Sequence, residues 1–161
     1  MANHPLGPMV VRVQSEHGAR ARAIALGVFS VCALVFSIAA WVVPDPAGFG
    51  THTQLGHAPC LMPVLTGYPC PTCGMTTAFA FAVRGQFGTA FRAQPAGFLI
   101  AVLMAIGAIA SISVISTGSV WHVNWYRVSP VRVVVAALAI ALLGWGYKIA
   151  TFDWFRDAVV R

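Results

Sequence analysis

The chain has 161 residues, of which 58% are hydrophobic and only 9% are charged. A soluble domain carries about 25% charged residues, so this chain has too few of them to cover a water-facing surface. Ten Lys and Arg against four acidic residues give a net charge of +6. These cations flank apolar runs and form no basic face, which argues against nucleic acid as a partner. The composition predicts an integral membrane protein whose main partner is the lipid bilayer.

The first predicted membrane span covers residues 23–43. Its 21 apolar residues exceed the 7–15 of a signal-peptide core and suit a helix that crosses a bilayer. Pro44 and Pro46 end the run, because proline cannot continue a helix. Residues 1–22 are predicted to form a polar arm. Arg20 and Arg22 in this arm favour an N-terminus on the cytoplasmic side, which places the following loop outside.

Two further spans are predicted, over residues 96–116 and 131–150. Each follows a proline, which is tolerated in the first turn of a helix. Lys148 lies near the end of the last run and is predicted to snorkel to the lipid headgroups. Trp145 lies near the same end, as an aromatic belt residue would. Residues 23–150 then form a single membrane domain, and residues 151–161 an interfacial tail.

The long loop over residues 44–95 divides into two parts. Its first part is rich in Gly and Pro and is predicted to be irregular. From Cys73 onward, apolar residues recur at three- and four-residue spacing, which predicts an amphipathic helix that is broken near Gly85 or Gly88 and is interfacial or half-buried. Arg84 and Arg92 are predicted to contact lipid phosphate. The fold class is therefore an all-α integral membrane protein with three transmembrane helices plus this amphipathic helix.

Small residues in the spans leave the oligomeric state open. Gly97, Gly107, Gly144 and Gly146 permit close contact between helices. Such contacts form equally well within one chain and between chains, so self-association or another protein partner is compatible with the sequence.

The cysteines divide between a span and the loop. Cys32 lies mid-span among apolar residues and is predicted to be a small buried hydrophobe. Cys60, Cys70 and Cys73 all lie in the loop over residues 44–95, and the same loop holds two histidines. The clustering of three cysteines in one extramembrane segment predicts a joint role for them.

A metal site is one interpretation of this cluster. Cys70 and Cys73 form a Cys-x-x-Cys turn, in which two thiolates can reach one tetrahedral ion at about 2.3 Å. Cys60 supplies a third sulfur, and His52 or His57 is the candidate fourth ligand. The sequence therefore favours a non-enzymatic membrane protein whose loop binds a structural zinc ion.

Two alternatives remain open at this point. Cys70 lies at the start of a predicted helix, where unpaired N–H groups lower a thiol pKa, and Cys73 is placed one turn on to resolve a mixed disulfide. The pair would then serve a thiol–disulfide oxidoreductase at the membrane surface. Alternatively, Cys60 forms a disulfide with one of them, or all three thiols only pack, in a scaffold or partner subunit without site chemistry. Thr76 and Thr77 fit helix N-capping as well as any chemistry.

The loop also resembles a known family. Cys60, the box Cys-Pro-Thr-Cys-Gly-Met-Thr that begins at Cys70, the pair Arg84-Gly85 and the triplet that ends in Pro95 resemble the bacterial membrane-protein family called domain of unknown function 2752. That family's box continues with Arg and its later proline follows Asn, whereas this chain has Thr77 and Gln94 at those positions. The resemblance implies a protein of the bacterial cytoplasmic membrane in which the box is important, and it implies no particular reaction.

Overall fold

The structure is a computed structural model that describes the backbone of residues 10–14, 18–58, 60–123 and 129–160. Side chains are described for residues 18–58, 60–63, 65–119 and 129–151. In chain order the elements are β1 (Val10–Gln14), α1 (Gly18–Trp41), a 3-10 turn (Thr51–Leu55), α2 (Leu61–Thr66), α3 (Met75–Ala82), α4 (Phe87–Ala93), α5 (Pro95–Thr117), β2 (Ser119–Val123) and α6 (Pro130–Val160).

Three of these helices are long and apolar enough to cross a membrane: Gly18–Trp41, Pro95–Thr117 and Pro130–Thr151. Their apolar side chains stay largely uncovered, with Leu143 exposed by 74%, as lipid-facing surfaces require. The all-α class with three such helices and additional short ones is confirmed. α1 begins five residues before the predicted span because Arg20 and Arg22 are good helix formers. α6 continues to Val160, through the segment predicted as a tail.

The chain divides into two compact units, and the first comprises Met1–Ala33 and Met104–Leu138. Its distinctive feature is a two-stranded antiparallel ribbon in which Val10 pairs with Val123 and Gln14 pairs with Ser119. The polar-arm prediction missed this strand, which begins in the arm. Cys32 in α1 is buried, with 6% of its surface exposed, so its prediction as a small buried hydrophobe is confirmed.

The second unit comprises Leu34–Leu103 and Ala139–Arg161 and contains the long loop. The loop is less irregular than predicted, because it forms the 3-10 turn and α2. Pro63 is accommodated in α2 because it occupies the third helical position, where the N–H has no intrahelical acceptor. The predicted single amphipathic helix is two helices, α3 and α4. The break lies at Gly85, whose φ is +74°.

Alanine side chains and one phenylalanine form the buried hydrophobic cluster of this second unit. Ala78 and Phe81 of α3 pack against Ala90 and Ala93 of α4. At Gly97 of α5, an added β-carbon would lie 3.3 Å from atoms of α3, and at Gly144 of α6 one would lie 3.4 Å from Ala96. Close approach therefore occurs within the chain at these two glycines, whereas Gly107 and Gly146 have no such neighbour within 4 Å among the described residues.

The C-terminal end of α1 is capped by an arginine from the segment after α3. The guanidinium of Arg84 donates to the carbonyl oxygens of Ala39, Ala40 and Val42 at 3.1, 2.9 and 2.8 Å. It also donates to Ala80 at 2.7 Å. These bonds satisfy carbonyl groups that a helix end leaves without partners. For Arg84 this internal contact replaces the predicted lipid-phosphate contact, and for Arg92 the lipid contact stays a prediction.

Candidate metal centre

The cysteine box is a tight turn that leads directly into α3. The N–H of Cys73 donates to the Cys70 carbonyl oxygen at 3.0 Å, and the N–H of Met75 donates to the Thr72 carbonyl oxygen at 3.1 Å. Gly74 is the N-cap of α3, with φ +85° and no side-chain cap. Of the two roles left open for Thr76 and Thr77, N-capping of α3 is therefore not the one that the structure shows. The turn directs both box cysteines toward the preceding loop.

Three thiol groups converge at this turn. The Sγ atoms of Cys60, Cys70 and Cys73 all lie within 4.8 Å of one another, and all three cysteines are free. Cys70 Sγ is 2.8 Å from Cys73 Sγ, and Cys73 Sγ is 3.7 Å from Cys60 Sγ. The edge of a tetrahedron with 2.3 Å metal–sulfur bonds is about 3.8 Å, so the second distance suits a shared ion and the first requires the two sulfurs to separate by about 1 Å. This cluster could hold a metal ion.

The local hydrogen bonds differentiate the two box thiols. Burial raises the pKa of the Cys73 thiol to about 12, with a further rise from its hydrogen bond to Cys70. Partial burial by itself raises the pKa of the Cys70 thiol. Hydrogen bonds with Cys73 and Thr72 lower it. Together with smaller contributions they outweigh the effect of burial, so the pKa of the Cys70 thiol is lowered overall. Since the thiolate is both the metal-binding and the nucleophilic form, Cys70 is the more reactive member of the pair.

Two side chains from distant segments hold the backbone on either side of Cys70. The indole N–H of Trp145 in α6 donates to the carbonyl oxygen of Pro69 at 2.9 Å. The side-chain amide of Gln94, between α4 and α5, donates to the carbonyl oxygen of Pro71 at 2.7 Å. Trp145 is therefore part of the support of the box as well as lying near a span end. Gln94 is fully buried, and its Oε1 has no hydrogen-bond partner among the described residues.

A buried lysine lies directly beneath the box. Lys148 of α6 is fully buried, and its Nζ donates to the carbonyl oxygens of Gly48 and Ala93 at 3.1 and 2.8 Å. Nζ also lies over the Phe49 ring at 5.8 Å from its centroid. A β-carbon at Gly74 would lie 3.3 Å from this Nζ. The prediction that Lys148 snorkels to the headgroups is wrong, because its ammonium is used to join the loop and α4 to α6.

The thiol cluster opens onto a cavity of about 480 Å³. All three loop cysteines line it, together with His52 and the apolar side chains of Phe49 and Met75. His57 is exposed and is not among the described lining residues. Neither histidine belongs to the group of ligand atoms within 4.8 Å. Of the two candidate fourth ligands, His52 is thus the one that faces the same space as the sulfurs.

Thr77 occupies the position at which the resembled family carries arginine. It is fully buried, and its hydroxyl hydrogen-bonds to that of Thr51 at 2.8 Å. Thr51 in turn accepts from the N–H of Asp45 at 3.0 Å. Thr77 therefore ties α3 to the 3-10 turn on which His52 lies, and a hydroxyl at this position supplies no positive charge to the site.

The comparison with protein families bears on the segment just described. Residues 60–108 match the model of a family described as "Protein of unknown function (DUF2752)". The resemblance to this family is confirmed over these residues. The match covers the cysteine cluster, α3, α4 and the first part of α5. Comparisons with curated proteins and with solved structures gave no match.

Sequence reasoning missed the three side chains that support the box from a distance. Trp145 is 76 residues from Pro69, Gln94 is 23 residues from Pro71, and Lys148 is 100 residues from Gly48. No spacing rule connects positions so far apart. The only local signal was an unusual one, a lysine within an apolar run, which is costly unless its charge is satisfied inside the protein.

Proposed function

We propose that this chain is a non-enzymatic integral membrane protein of the bilayer, and that the loop between its first two spans is fixed by a bound zinc ion. The carrying observation is the convergence of Cys60, Cys70 and Cys73, whose sulfurs lie within 4.8 Å of one another without any disulfide. Bringing three thiols together has no obvious packing advantage, whereas one ion bound by all three would close the loop.

The donor set favours zinc among the common metals. Thiolate sulfurs are soft ligands, which select zinc, copper(I) or iron–sulfur chemistry over magnesium or calcium. A Cys-x-x-Cys turn with a third cysteine suits a single tetrahedral ion. In addition, the N–H of Cys70 donates to the sulfur of Cys73 at 3.2 Å, and such a bond stabilises a coordinated thiolate.

Metal analysis of the purified full-length protein tests this proposal. We expect about one zinc per chain, which Cys70→Ser or Cys73→Ser abolishes because each removes a sulfur ligand. Cys32→Ala is the matched control, since Cys32 is buried in α1 and is not a member of the thiol cluster, and it should retain the metal. Metal-free protein with rapidly alkylated, redox-active Cys70 would instead support the oxidoreductase. Tolerance of serine at all three loop cysteines would support a scaffold.

We further propose that the protein lies in a bacterial cytoplasmic membrane with this loop on the outer side. Arg20 and Arg22 at the start of α1 support a cytoplasmic N-terminus. An impermeant thiol reagent, applied to intact cells after chelation, should label Cys60, Cys70 and Cys73. Labelling that requires permeabilisation of the membrane would place the loop in the cytoplasm and contradict the orientation.

A further inference from the structure

The cavity beside the thiol cluster has the size and position of a ligand pocket. Its volume of about 480 Å³ lies within the range of about 300–1,000 Å³ that is typical of small-molecule sites. Cys60, Cys70 and Cys73 all contribute to its wall. An ion held by these sulfurs would therefore lie at the boundary of the cavity.

The number of ligands leaves one coordination position unfilled. The described ligand cluster has three members, all of them sulfurs, whereas zinc in proteins takes four ligands in structural sites and keeps a fourth, exchangeable position when three are provided. Because all three cysteines line the cavity, a ligand within it could reach the remaining position of an ion bound by their sulfurs. Building on the proposed zinc site, we propose that this cavity binds a small molecule with a neutral nitrogen donor on an apolar body, and that the nitrogen completes the coordination of the metal.

Charge determines the kind of donor. Three thiolates and one divalent ion carry a net charge of −1. A fourth ligand that is itself anionic would make the net charge −2 in a partly buried site. Among the described lining residues there is no Lys, Arg, Asp or Glu. Among the residues whose side chains are described, Lys148 is the buried cation near the box, and its Nζ would lie 3.3 Å from a β-carbon at Gly74. Its single charge balances the −1 of a site with a neutral fourth ligand, and a second negative charge would remain uncompensated.

The other residues that line the cavity determine what kind of body the nitrogen donor is attached to. Phe49, Pro63 and Met75 provide apolar and polarisable surface, which favours an aromatic or aliphatic body. Thr53 and Thr76 also line the cavity and add neutral polar residues to its wall. His52 carries a neutral nitrogen donor of its own and lines the cavity, so it is the competing internal occupant of the fourth position.

Cobalt-loaded protein in detergent provides the direct test, because the visible absorption of Co(II) reports a change of ligand. 4-Phenylimidazole should shift the bands saturably, at a concentration at least about tenfold below that needed with imidazole, since the phenyl ring gains burial. 2-Phenylpyrrole has nearly the same shape and enters detergent at least as readily but has no basic nitrogen, and it should leave the bands unchanged.

One variant tests His52 as the occupant of the fourth position, and two variants of Thr76 test the cavity wall. His52→Ala should keep the starting spectrum and the response to 4-phenylimidazole. Thr76→Leu narrows the cavity and should weaken 4-phenylimidazole binding at least about tenfold at unchanged cobalt content, whereas Thr76→Ser should bind like the parent.

The outcomes distinguish this inference from the proposal on which it rests. If cobalt binds but its spectrum does not respond to 4-phenylimidazole, or if His52→Ala changes the starting spectrum, the inference of an open coordination position is wrong. The proposed metal site is unaffected by either result. An equal response to 2-phenylpyrrole overturns coordination by the nitrogen. Protein that binds no cobalt overturns the metal site itself.

Discussion

Gly74 has two independent reasons to be glycine. Its φ of +85° lies in the left-handed region, and a β-carbon there would collide with the Gly48 carbonyl oxygen and lie 2.9 Å from that of Ala93. Both neighbours are backbone atoms, which cannot move aside without disturbing the loop and α4. The same close approach places Gly74 beside the ammonium of Lys148, whose Nζ would lie 3.3 Å from an added β-carbon.

We therefore expect Gly74→Ala to lower the free energy of unfolding by more than about 2 kcal/mol and to lower zinc content. Gly67→Ala is the matched control, because Gly67 has φ +74° but nothing within 4 Å of an added β-carbon. Gly67→Ala should lower the free energy of unfolding by only about 1 kcal/mol, because only the left-handed backbone conformation is unfavourable for alanine there. Thermal unfolding and metal analysis of both variants measure the difference, and equal losses would contradict the steric explanation.

Lys148 makes a different kind of contribution, because it satisfies two buried carbonyl groups at once. Lys148→Met should destabilise the protein, since each acceptor that loses its donor costs about 1–3 kcal/mol. Arg132→Met removes an exposed cation from the same helix and should leave the melting temperature nearly unchanged. Thermal unfolding of the two variants is the measurement. A Lys148→Met protein as stable as its parent would mean that desolvation of the ammonium cancels its hydrogen bonds.

At the scale of elements, the Arg84 cap links the end of the first span to the segment after α3. Arg84→Gln removes donors from Ala39, Ala40 and Val42, so we expect faster amide hydrogen exchange in the last turns of α1 and a loss of about 1–3 kcal/mol. Arg92→Gln is the control, since the structure gives Arg92 no comparable contact among the described residues. Exchange in α1 that is unchanged by Arg84→Gln would show that water replaces the guanidinium there.

Local patterns predicted some elements well and others poorly. The three long helices follow from runs of about 20 apolar residues, a signal that depends on length and composition alone. The break at Gly85 follows from a glycine in a periodic segment. α2 was missed because it is short and contains proline. The ribbon was missed although Val10–Gln14 is rich in β-branched residues, a signal that could have predicted a strand.

The site itself was predictable in its sulfurs and not in its support. Three cysteines in one loop are visible in the sequence, and their convergence within 4.8 Å agrees with a joint role. The fourth ligand stays a prediction, because no spacing rule relates a histidine in a 3-10 turn to a cysteine box. Gln94, Trp145 and Lys148 act through contacts between distant segments, and a single sequence carries no record of those pairings.

At the scale of the whole molecule, the two units predict where metal removal acts. The cysteines, α3 and α4 belong to the second unit, and the ribbon of β1 and β2 belongs to the first. Chelation should therefore accelerate amide hydrogen exchange in residues 48–76, while residues 119–123 keep their protection, because the ion constrains only the loop that binds it. Hydrogen-exchange mass spectrometry with and without chelator measures this. Uniform acceleration along the chain would contradict a locally acting ion.

The tie between Lys148 and Gly48 has a consequence for biosynthesis. During translation the box is made before α6, and 76 residues separate Pro69 from the Trp145 that holds it. Until the third span is inserted, Pro69 lacks the hydrogen bond from Trp145, and the carbonyl groups of Gly48 and Ala93 lack those from Lys148. We therefore expect the nascent chain to pass through an interval in which its thiols are reactive and unsupported. Loading of the metal should then follow insertion of the last span, which makes the third span the step that completes the site.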